Sequence, residues 1–327
     1  MAIIEIDGLT KRYGTFTAVD GVSLSIKEGE IFGLLGPNGA GKTTTISMLS
    51  TINEPTSGTA KINGHDIVRD KTKVRASIGI VFQDQSLDDQ LTGRENLDLH
   101  GRLYGVRSGK REKAIAKALE LVELSDKADN IVKTYSGGMR RRLEIARGLI
   151  HEPKVLFLDE PTVGLDPQTR RKLWSYIQDL NRRAGMTIIL TTHYIEEADF
   201  LCGRIGIMDK SRIIKMGTPE ELKDSLGGDV ITAVVSNAKR FAKMAREFPE
   251  VKGVREYGDG KVEVTASNGG GFIPLILKAA FEGGITVNSI TLKRPSLEDV
   301  FISLTGREIR EEAGDSKTTM RLGFNGR

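Results

Sequence analysis

The sequence predicts an α/β protein: a doubly wound, mostly parallel sheet with a helical insertion, followed by a small α+β unit. Three observations lead there. Short continuous apolar runs alternate with stretches of helical spacing, as strands buried on both faces of a parallel sheet do. These runs are Ile31 to Leu35, Val155-Leu156-Phe157-Leu158, Thr187-Ile188-Ile189-Leu190 and Arg204-Ile205-Gly206-Ile207-Met208. Residues of about 85–150 are mostly helical in pattern and interrupt that alternation. Beyond Gly227-Gly228 the pattern runs strand, helix, strand, strand, helix, strand, the βαββαβ order of a ferredoxin-like unit.

The elements follow in order. Within residues 1–30, Ile4 and Ile6, then Val22, Leu24 and Ile26, recur at every second position, the mark of antiparallel strands with one buried face. The run Ile31 to Leu35 ends in a glycine-rich turn, and Thr43 to Leu49 reads as a helix. In the helical block, Arg111 to Leu124 carries Ile115, Leu119 and Val122 at helical spacing, with Lys and Glu between them. The last unit reads as strand Val230–Val235, helix Lys239–Glu247, strand Val254–Tyr257, a Gly258-Asp259-Gly260 turn, strand Lys261–Thr265, helix Ile273–Phe281 and strand Ile285–Leu292. Gly269-Gly270-Gly271 reads as a loop before the second helix. Pro274 then falls in that helix's first turn, where its missing N–H costs little. The expected units are 1–226, with the helical part at about 87–150, and 229–302. The stretch 307–327 is polar and aperiodic and is expected to be a disordered tail.

Composition bounds the function. The chain has 327 residues, 48 Lys+Arg against 44 Asp+Glu, and 39% hydrophobic residues. At roughly 100–200 residues per domain, this length suggests about two domains. A net charge of +4 argues against a nucleic-acid partner, which a basic face would announce. Cys202 is the only cysteine, which excludes an internal disulfide and a cysteine-based zinc cluster. It reads as a small buried residue. No stretch approaches the ~18 consecutive apolar residues of a membrane helix. The N-terminal run MAIIEIDGLTKRYG contains acids and lacks a basic n-region, so it does not read as a signal peptide. A soluble, cytosolic chain is expected.

Three motifs carry chemistry. Gly36-Pro37-Asn38-Gly39-Ala40-Gly41-Lys42-Thr43 matches G-x-x-x-x-G-K-[ST], after a buried strand and before a helix. Glycines let successive backbone N–H groups face one concavity, and the helix N-terminus adds partial positive charge. Lys42 is expected on the β- and γ-phosphates, and the Thr43 hydroxyl on Mg²⁺. Leu156-Phe157-Leu158-Asp159-Glu160 ends a strand in two acids at the carboxyl edge, where open α/β sheets bind ligands. Adjacent residues of an extended chain point to opposite sides, so the acids can divide the work. Asp159 is placed to hold Mg²⁺, and Glu160 to polarise a water for attack on the γ-phosphate. Tyr135-Ser136-Gly137-Gly138-Met139 opens a helix that continues through Arg140-Arg141-Arg142-Leu143-Glu144-Ile145-Ala146. Ser136 is a good N-cap, which makes this terminus a second anion site. Taken alone it is an ordinary capped helix, and the arginine run reads as a solvated face. Two anion cradles in one chain make most sense if two chains pack head-to-tail, each cradle facing the other's Ser136 turn.

The combination resembles the nucleotide-binding subunit of ATP-binding-cassette (ABC) transporters over about residues 1–225. Gly36–Thr43 resembles the Walker A loop, with Thr44 adjoining it in the ATP site, and Leu156–Glu160 resembles Walker B. Ser136, Gly137 and Gly138 resemble the family signature. The resemblance implies four further roles. Gln83, in Val81-Phe82-Gln83, is the Q-loop residue, near Mg²⁺ and linked to the membrane partner. Tyr13 stacks on adenine, Asp166 of Gly164-Leu165-Asp166 belongs to the D-loop, and His193 is the switch histidine at the γ-phosphate. His65, His100 and His151 receive no role. The signature departs from its usual Leu-Ser-Gly-Gly-Gln by having Tyr135 and Met139 at its ends. The run from Tyr135 to Ala146 and the closing Arg294-Pro295-Ser296-Leu297-Glu298-Asp299-Val300-Phe301 resemble the daunorubicin/doxorubicin-resistance branch.

The resemblance implies a P-loop NTPase fold, with a RecA-like core, an antiparallel β subdomain and a helical insertion. It implies ATP and Mg²⁺ as cofactors. The implied partners are a second copy of the chain in a head-to-tail ATP sandwich and a separate multi-span permease, which would hold the chain at the cytoplasmic face of the membrane. The cargo would be drugs, lipids or polysaccharide precursors. The alternative is a non-transport ABC ATPase acting on ribosomes or DNA. Against it, the chain has one phosphate loop, not two, and no sustained heptads before the signature. Residues 229–302 are expected to be an accessory or dimerisation unit, with ligand sensing as the other reading.

Overall fold

In the computed structural model, which describes residues 1–307, strand pairing sorts the chain into three sheets. The first is antiparallel and ordered β2-β1-β4-β5, from β1 (Ala2–Tyr13), β2 (Phe16–Lys27), β4 (Ser57–Ile62) and β5 (His65–Asp66). Ile4 pairs with Ile26 on one side and Ile62 on the other, and all three are buried, as the alternating pattern requires.

The second sheet is ordered β10-β9-β3-β8-β7-β6. It joins β3 (Ile31–Leu35), β6 (Ile78–Val81), β7 (Val155–Asp159), β8 (Thr187–Thr192) and β9 (Arg204–Asp209) in parallel, with β10 (Arg212–Gly217) as an antiparallel edge. Every residue of β3, β7 and β8 is buried, which is why these strands read as unbroken apolar runs. The helices of this part are α1 (Lys42–Leu49), α2 (Lys71–Ser77), α6 (Pro167–Ala184), α7 (Ile195–Leu201) and α8 (Pro219–Asp224). The helical block is α3 (Gly93–Leu103), α4 (Ser108–Leu121) and α5 (Gly137–Leu149), packed around Leu97, Ile115, Leu119, Val122 and Leu143.

The third sheet is antiparallel and ordered β12-β13-β11-β14: β11 (Asp229–Val235), β12 (Val251–Glu256), β13 (Lys261–Ala266) and β14 (Val287–Lys293). With α9 (Ala238–Ala245) and α10 (Gly269–Glu282) it realises the βαββαβ order around a core that includes Phe241 and Phe272. One detail is corrected. The three glycines are the first turn of α10, not a loop before it, so Pro274 lies inside the helix. The cause is local capping. Asn268 accepts from the Gly271 N–H at 3.1 Å and Asp229 from the Gly269 N–H at 2.8 Å, which starts the helix early.

The last helix, α11 (Leu297–Thr305), does not join the small unit's core. Leu297, Val300 and Phe301 are buried with Leu201, Cys202 and Leu222 against the parallel sheet. Burial of such side chains is worth about 1.5–3 kcal/mol each, as an upper figure. Arg307 adds an ion pair to Asp209 of β9 at 2.6 Å. The expectation of a disordered tail falls, past Arg307, outside the described residues.

Candidate functional site

The carboxyl ends of β3, β8 and β7 lie side by side, with Leu35 opposite Thr192 and Asp159 opposite Thr191. Each strand delivers its following residues to one edge. β3 brings the glycine loop, β7 brings Asp159 and Glu160, and β8 brings His193. An open cleft of about 550 Å³ there is lined by Asn38, Gly39, Gly41, Lys42, Thr43, Thr44, Gln83 and Glu160, and by Phe16 and Ala18 of β2.

The loop leaves the α1 terminus open. Its N-cap is Gly41, at φ 104°, with no side-chain cap and no acid in the first turn. A side chain at Gly41 would need a left-handed backbone and place its Cβ 2.4 Å from the Ala18 carbonyl oxygen. The first N–H groups of α1 therefore stay available to an anion. Lys42 is buried, donating to the carbonyls of Gly36 at 2.8 Å and Pro37 at 3.2 Å, with Glu160 Oε1 at 3.3 Å. Burial pulls its ammonium below the usual lysine value, against the opposing pull of Glu160 and Asp159. A phosphate would replace these partners with a full anionic charge.

Asp159 accepts hydrogen bonds from Thr43 Oγ1 at 3.1 Å and from the Thr191 hydroxyl. Burial raises its carboxyl above the ordinary value, and the two hydroxyls only partly oppose this. Such a carboxylate gains from a cation. Among the described residues no group of three His, Cys, Asp or Glu forms an all-protein metal cage. One hydroxyl beside one carboxylate suits Mg²⁺, which keeps waters and shares phosphate oxygens. The residues present fit that ion.

Glu160 adopts φ 46°, a left-handed value that a non-glycine residue holds only when its surroundings impose it. Its N–H donates to Thr191 Oγ1 at 3.0 Å. Its Oε1 lies 3.2 Å from His193 Nδ1, at ion-pair distance without hydrogen-bond alignment. Burial pushes this carboxyl up, but His193 and Lys42 outweigh it and leave the group below its ordinary range. Glu160 is therefore an ionised carboxylate facing the cleft. The His193 ring lies tilted by 42° against Tyr194, with 4.2 Å between ring centroids, and Arg170 covers the Tyr194 ring at 4.0 Å.

Lys42, Thr43, Thr44, Gln83, Asp159, Glu160 and His193 thus come together. Others do not join them. Tyr13 is exposed at the end of β1 with the Lys11 ammonium 5.0 Å over its ring, and it is the paired Phe16 that lines the cleft. Phe16 escapes the sequence reading, although an aromatic directly across a hairpin turn was a usable signal. Asp166 caps α6, accepting from the N–H groups of Gln168 and Thr169 at 3.1 and 3.0 Å. Ser136 caps α5, accepting from Met139 N–H at 3.3 Å, and with Gly138 it lines a different groove, between α5 and α6. Tyr135 is buried, its hydroxyl donating to the Lys127 carbonyl at 2.6 Å. A Cβ on residue 93 would lie 2.5 Å from that hydroxyl, so Gly93 opens α3.

The arginine run is corrected. Arg140 pairs with Asp89 and Arg142 with Glu123 at the surface, but Arg141 is only 7% exposed. Its guanidinium donates to the carbonyls of Phe82, Asp159, Glu160 and Pro161 and to Glu144. Cys202 is buried, as expected, and burial pushes its thiol well up. His100 and His151, given no role in the sequence, flank Tyr104 at the helical block.

Comparison with known proteins adds independent findings. The family described as ABC transporter matches residues 19–163, and the one described as ATP-binding protein DrrA1-3-like, C-terminal domain, matches 217–305. The chain is 42% identical to the daunorubicin resistance ATP-binding protein DrrA3 of Streptomyces coeruleorubidus, over 95% of this chain and 98% of that protein. It is 40% identical to the linearmycin resistance ATP-binding protein LnrL of Bacillus subtilis, over 94% and 100%. It is also 40% identical to the Nod factor export ATP-binding protein I of Ralstonia nicotianae, over 94% and 95%. Among solved structures, cbiO1 of Clostridium perfringens, part of the ABC transporter complex cbiONQ, aligns with TM-score 0.63 and 31% identity over 68% of this chain and 90% of that one. The ADP conformation of the ATP-binding cassette MJ1267 aligns with TM-score 0.62 and 28% identity over 68% and 92%.

Proposed function

The chain belongs to the ABC transporter family as an ATP-binding, ATP-hydrolysing subunit, and from that premise we propose that two copies close head-to-tail over two ATP molecules to drive a separate export permease. One observation carries the pairing. Lys42 and Glu160 line one cleft while Ser136 and Gly138 line another, so a single chain does not bring its two anion-binding helix termini onto one phosphate.

In this reading ATP lies over the glycine loop with its phosphates on the α1 N–H groups and Lys42. Thr43 and Asp159 would hold Mg²⁺, with Gln83 close by. When bound, that ion neutralises charge on the phosphate oxygens. Glu160, kept ionised by Lys42 and His193, accepts a proton from the attacking water. His193 contacts the γ-phosphate. Ser136, Gly137 and Gly138 of the second copy complete the phosphate contacts from the far side, and Asp166 adjoins them. Tyr13 or its neighbour Phe16 supplies the aromatic face for adenine. ATP favours the closed pair because only there are both sets of contacts made.

Among the described residues no helix is long and apolar enough to cross a membrane. A permease in another chain would hold the subunit at the cytoplasmic face. The relatives above are named for resistance or export, which favours transport over work on ribosomes or DNA. The proposed cargo class is drugs, lipids or polysaccharide precursors. Residues 229–302 are proposed as an accessory unit that covers the cassette, because α11 fastens it to the parallel sheet of its own chain; support of dimerisation is the companion proposal.

The test is Glu160→Gln. It is expected to lower hydrolysis by about 10²–10⁴-fold, the usual worth of a general base, and to leave an ATP-dependent dimer on size exclusion. A variant that elutes only as monomer with ATP would sink the sandwich.

A further inference from the structure

We propose that Arg141 is a positioning residue for hydrolysis, tying the loop that carries Gln83 to the backbone of Glu160. The inference rests on Glu160 as the proton acceptor and assigns the part that holds it in place.

Three consecutive carbonyls face one guanidinium. Arg141 Nε donates to Pro161 O at 2.7 Å, and Nη2 to Asp159 O at 3.0 Å and Glu160 O at 3.3 Å. Successive carbonyls of an extended strand point in opposite directions, so this convergence needs a break in the strand. The left-handed Glu160, at φ 46°, is that break. A residue in this region persists only where its surroundings over-determine it. Here Thr191 holds the Glu160 N–H from one side and Arg141 holds the carbonyls from the other.

The same guanidinium reaches the neighbouring loop. Nη1 donates to Phe82 O at 2.5 Å and to Glu144 Oε2 at 2.9 Å. Glu144, one turn along α5, accepts from the Ser86 N–H through its other oxygen at 2.8 Å. Arg141 and Glu144 therefore grip both ends of residues 82–86, between which Gln83 lies. A displacement of that loop is passed to the carbonyls of Asp159–Pro161 through a single planar group. Arginine suits this because its five donors lie in a rigid fork. Lysine offers a point charge that cannot reach both sides.

The experiment measures steady-state ATP hydrolysis and thermal unfolding of the full chain. The variants are Arg141→Lys, Arg141→Gln, the swap Arg141→Glu with Glu144→Arg, and Glu160→Gln as reference. Arg141→Lys and Arg141→Gln are expected to lower kcat by about 10–100-fold, the scale of a misplaced reacting group, with KM for ATP within about threefold. The swap restores an ion pair but not donors to the three carbonyls, so kcat stays low. If Arg141→Gln fails to fold, Arg141→Lys decides. An Arg141→Lys kcat within about twofold of the parent, or rescue by the swap, overturns the proposal. A rise in KM alone also overturns it, because it assigns the residue to ground-state binding. Hydrolysis retained in Glu160→Gln would instead overturn the reading of Glu160 on which this rests.

Discussion

Three helix starts in this molecule contrast with the two at its anion-binding motifs. α3, α8 and α11 each close their N-terminus with a full capping box: Thr92 with Glu95, Thr218 with Glu221, and Ser296 with Asp299. α1 and α5 carry no acid in the first turn, and α1 has no side-chain cap at all. A box satisfies the free N–H donors from within and places negative charge on the positive helix end. It also spoils the terminus for an outside anion. The three boxed termini are closed to an outside anion, whereas α1 is open and α5 keeps only the neutral Ser136 cap; an uncapped start is not itself a phosphate site, since α2 and α4 also begin without a side-chain cap or an acid.

The comparison can be attacked where the effect is largest. Thr44→Glu puts an acid at the third position of α1, as Glu95 stands in α3. It is expected to weaken ATP binding by about 100-fold, the Coulomb scale for like charges near a protein surface, with the melting temperature unchanged or slightly raised. Equilibrium binding of a fluorescent ATP analogue checks this, and retained affinity would break the distinction.

Ser136→Ala is next. It is expected to lower hydrolysis by about 10-fold or more, in the range of a lost phosphate-side donor, while leaving ATP affinity of the single chain alone. Equal loss in both would place Ser136 on its own chain's nucleotide.

α3 also tests the structural class at its other end. His100, in the last turn, is held at a pKa of about 4, chiefly by burial and then by repulsion from Arg147 and His151. Its folded value lies below the unfolded one of about 6.5. The unfolded chain therefore binds the extra proton between these values, and stability is lost as pH falls from about 6.5 towards 4. After discounting for solvent at the partly exposed ring, the loss is about 1–2 kcal/mol. Urea melts across that range check it, and His100→Gln is expected to flatten the slope. The smallest effect is Thr218→Ala at α8, expected to cost about 1 kcal/mol with hydrolysis unchanged.

The glycine loop and the paired acids are legible in the sequence because each is a contiguous run that fixes its own geometry. The buried strands are legible for the same reason: β3, β7 and β8 are covered on both faces and need no partner to be recognised. Arg141 is not legible. Three identical letters stand in a row, and helical steps of about 100° send them to three surroundings. Only the fold shows that the middle one meets the ends of β6 and β7. The start of α10 depends on Asp229, distant in sequence, and so the glycine triplet misleads. The apolar period of α11 is visible, but which core it joins is decided by packing.

The contact between Tyr135 and residue 93 has a consequence for how this chain can vary. The tyrosine hydroxyl occupies the space that any side chain at 93 would need. The two positions are therefore coupled. A relative with leucine at the first signature position loses the tightest of these contacts, and only the Ala128 carbonyl, 3.2 Å from a Cβ at 93, still crowds the start of α3. A library that randomises single positions would score Gly93 as immutable and miss that the larger part of the restriction comes from Tyr135. Paired sampling of 93 and 135 opens sequences that no one-step path from this chain reaches.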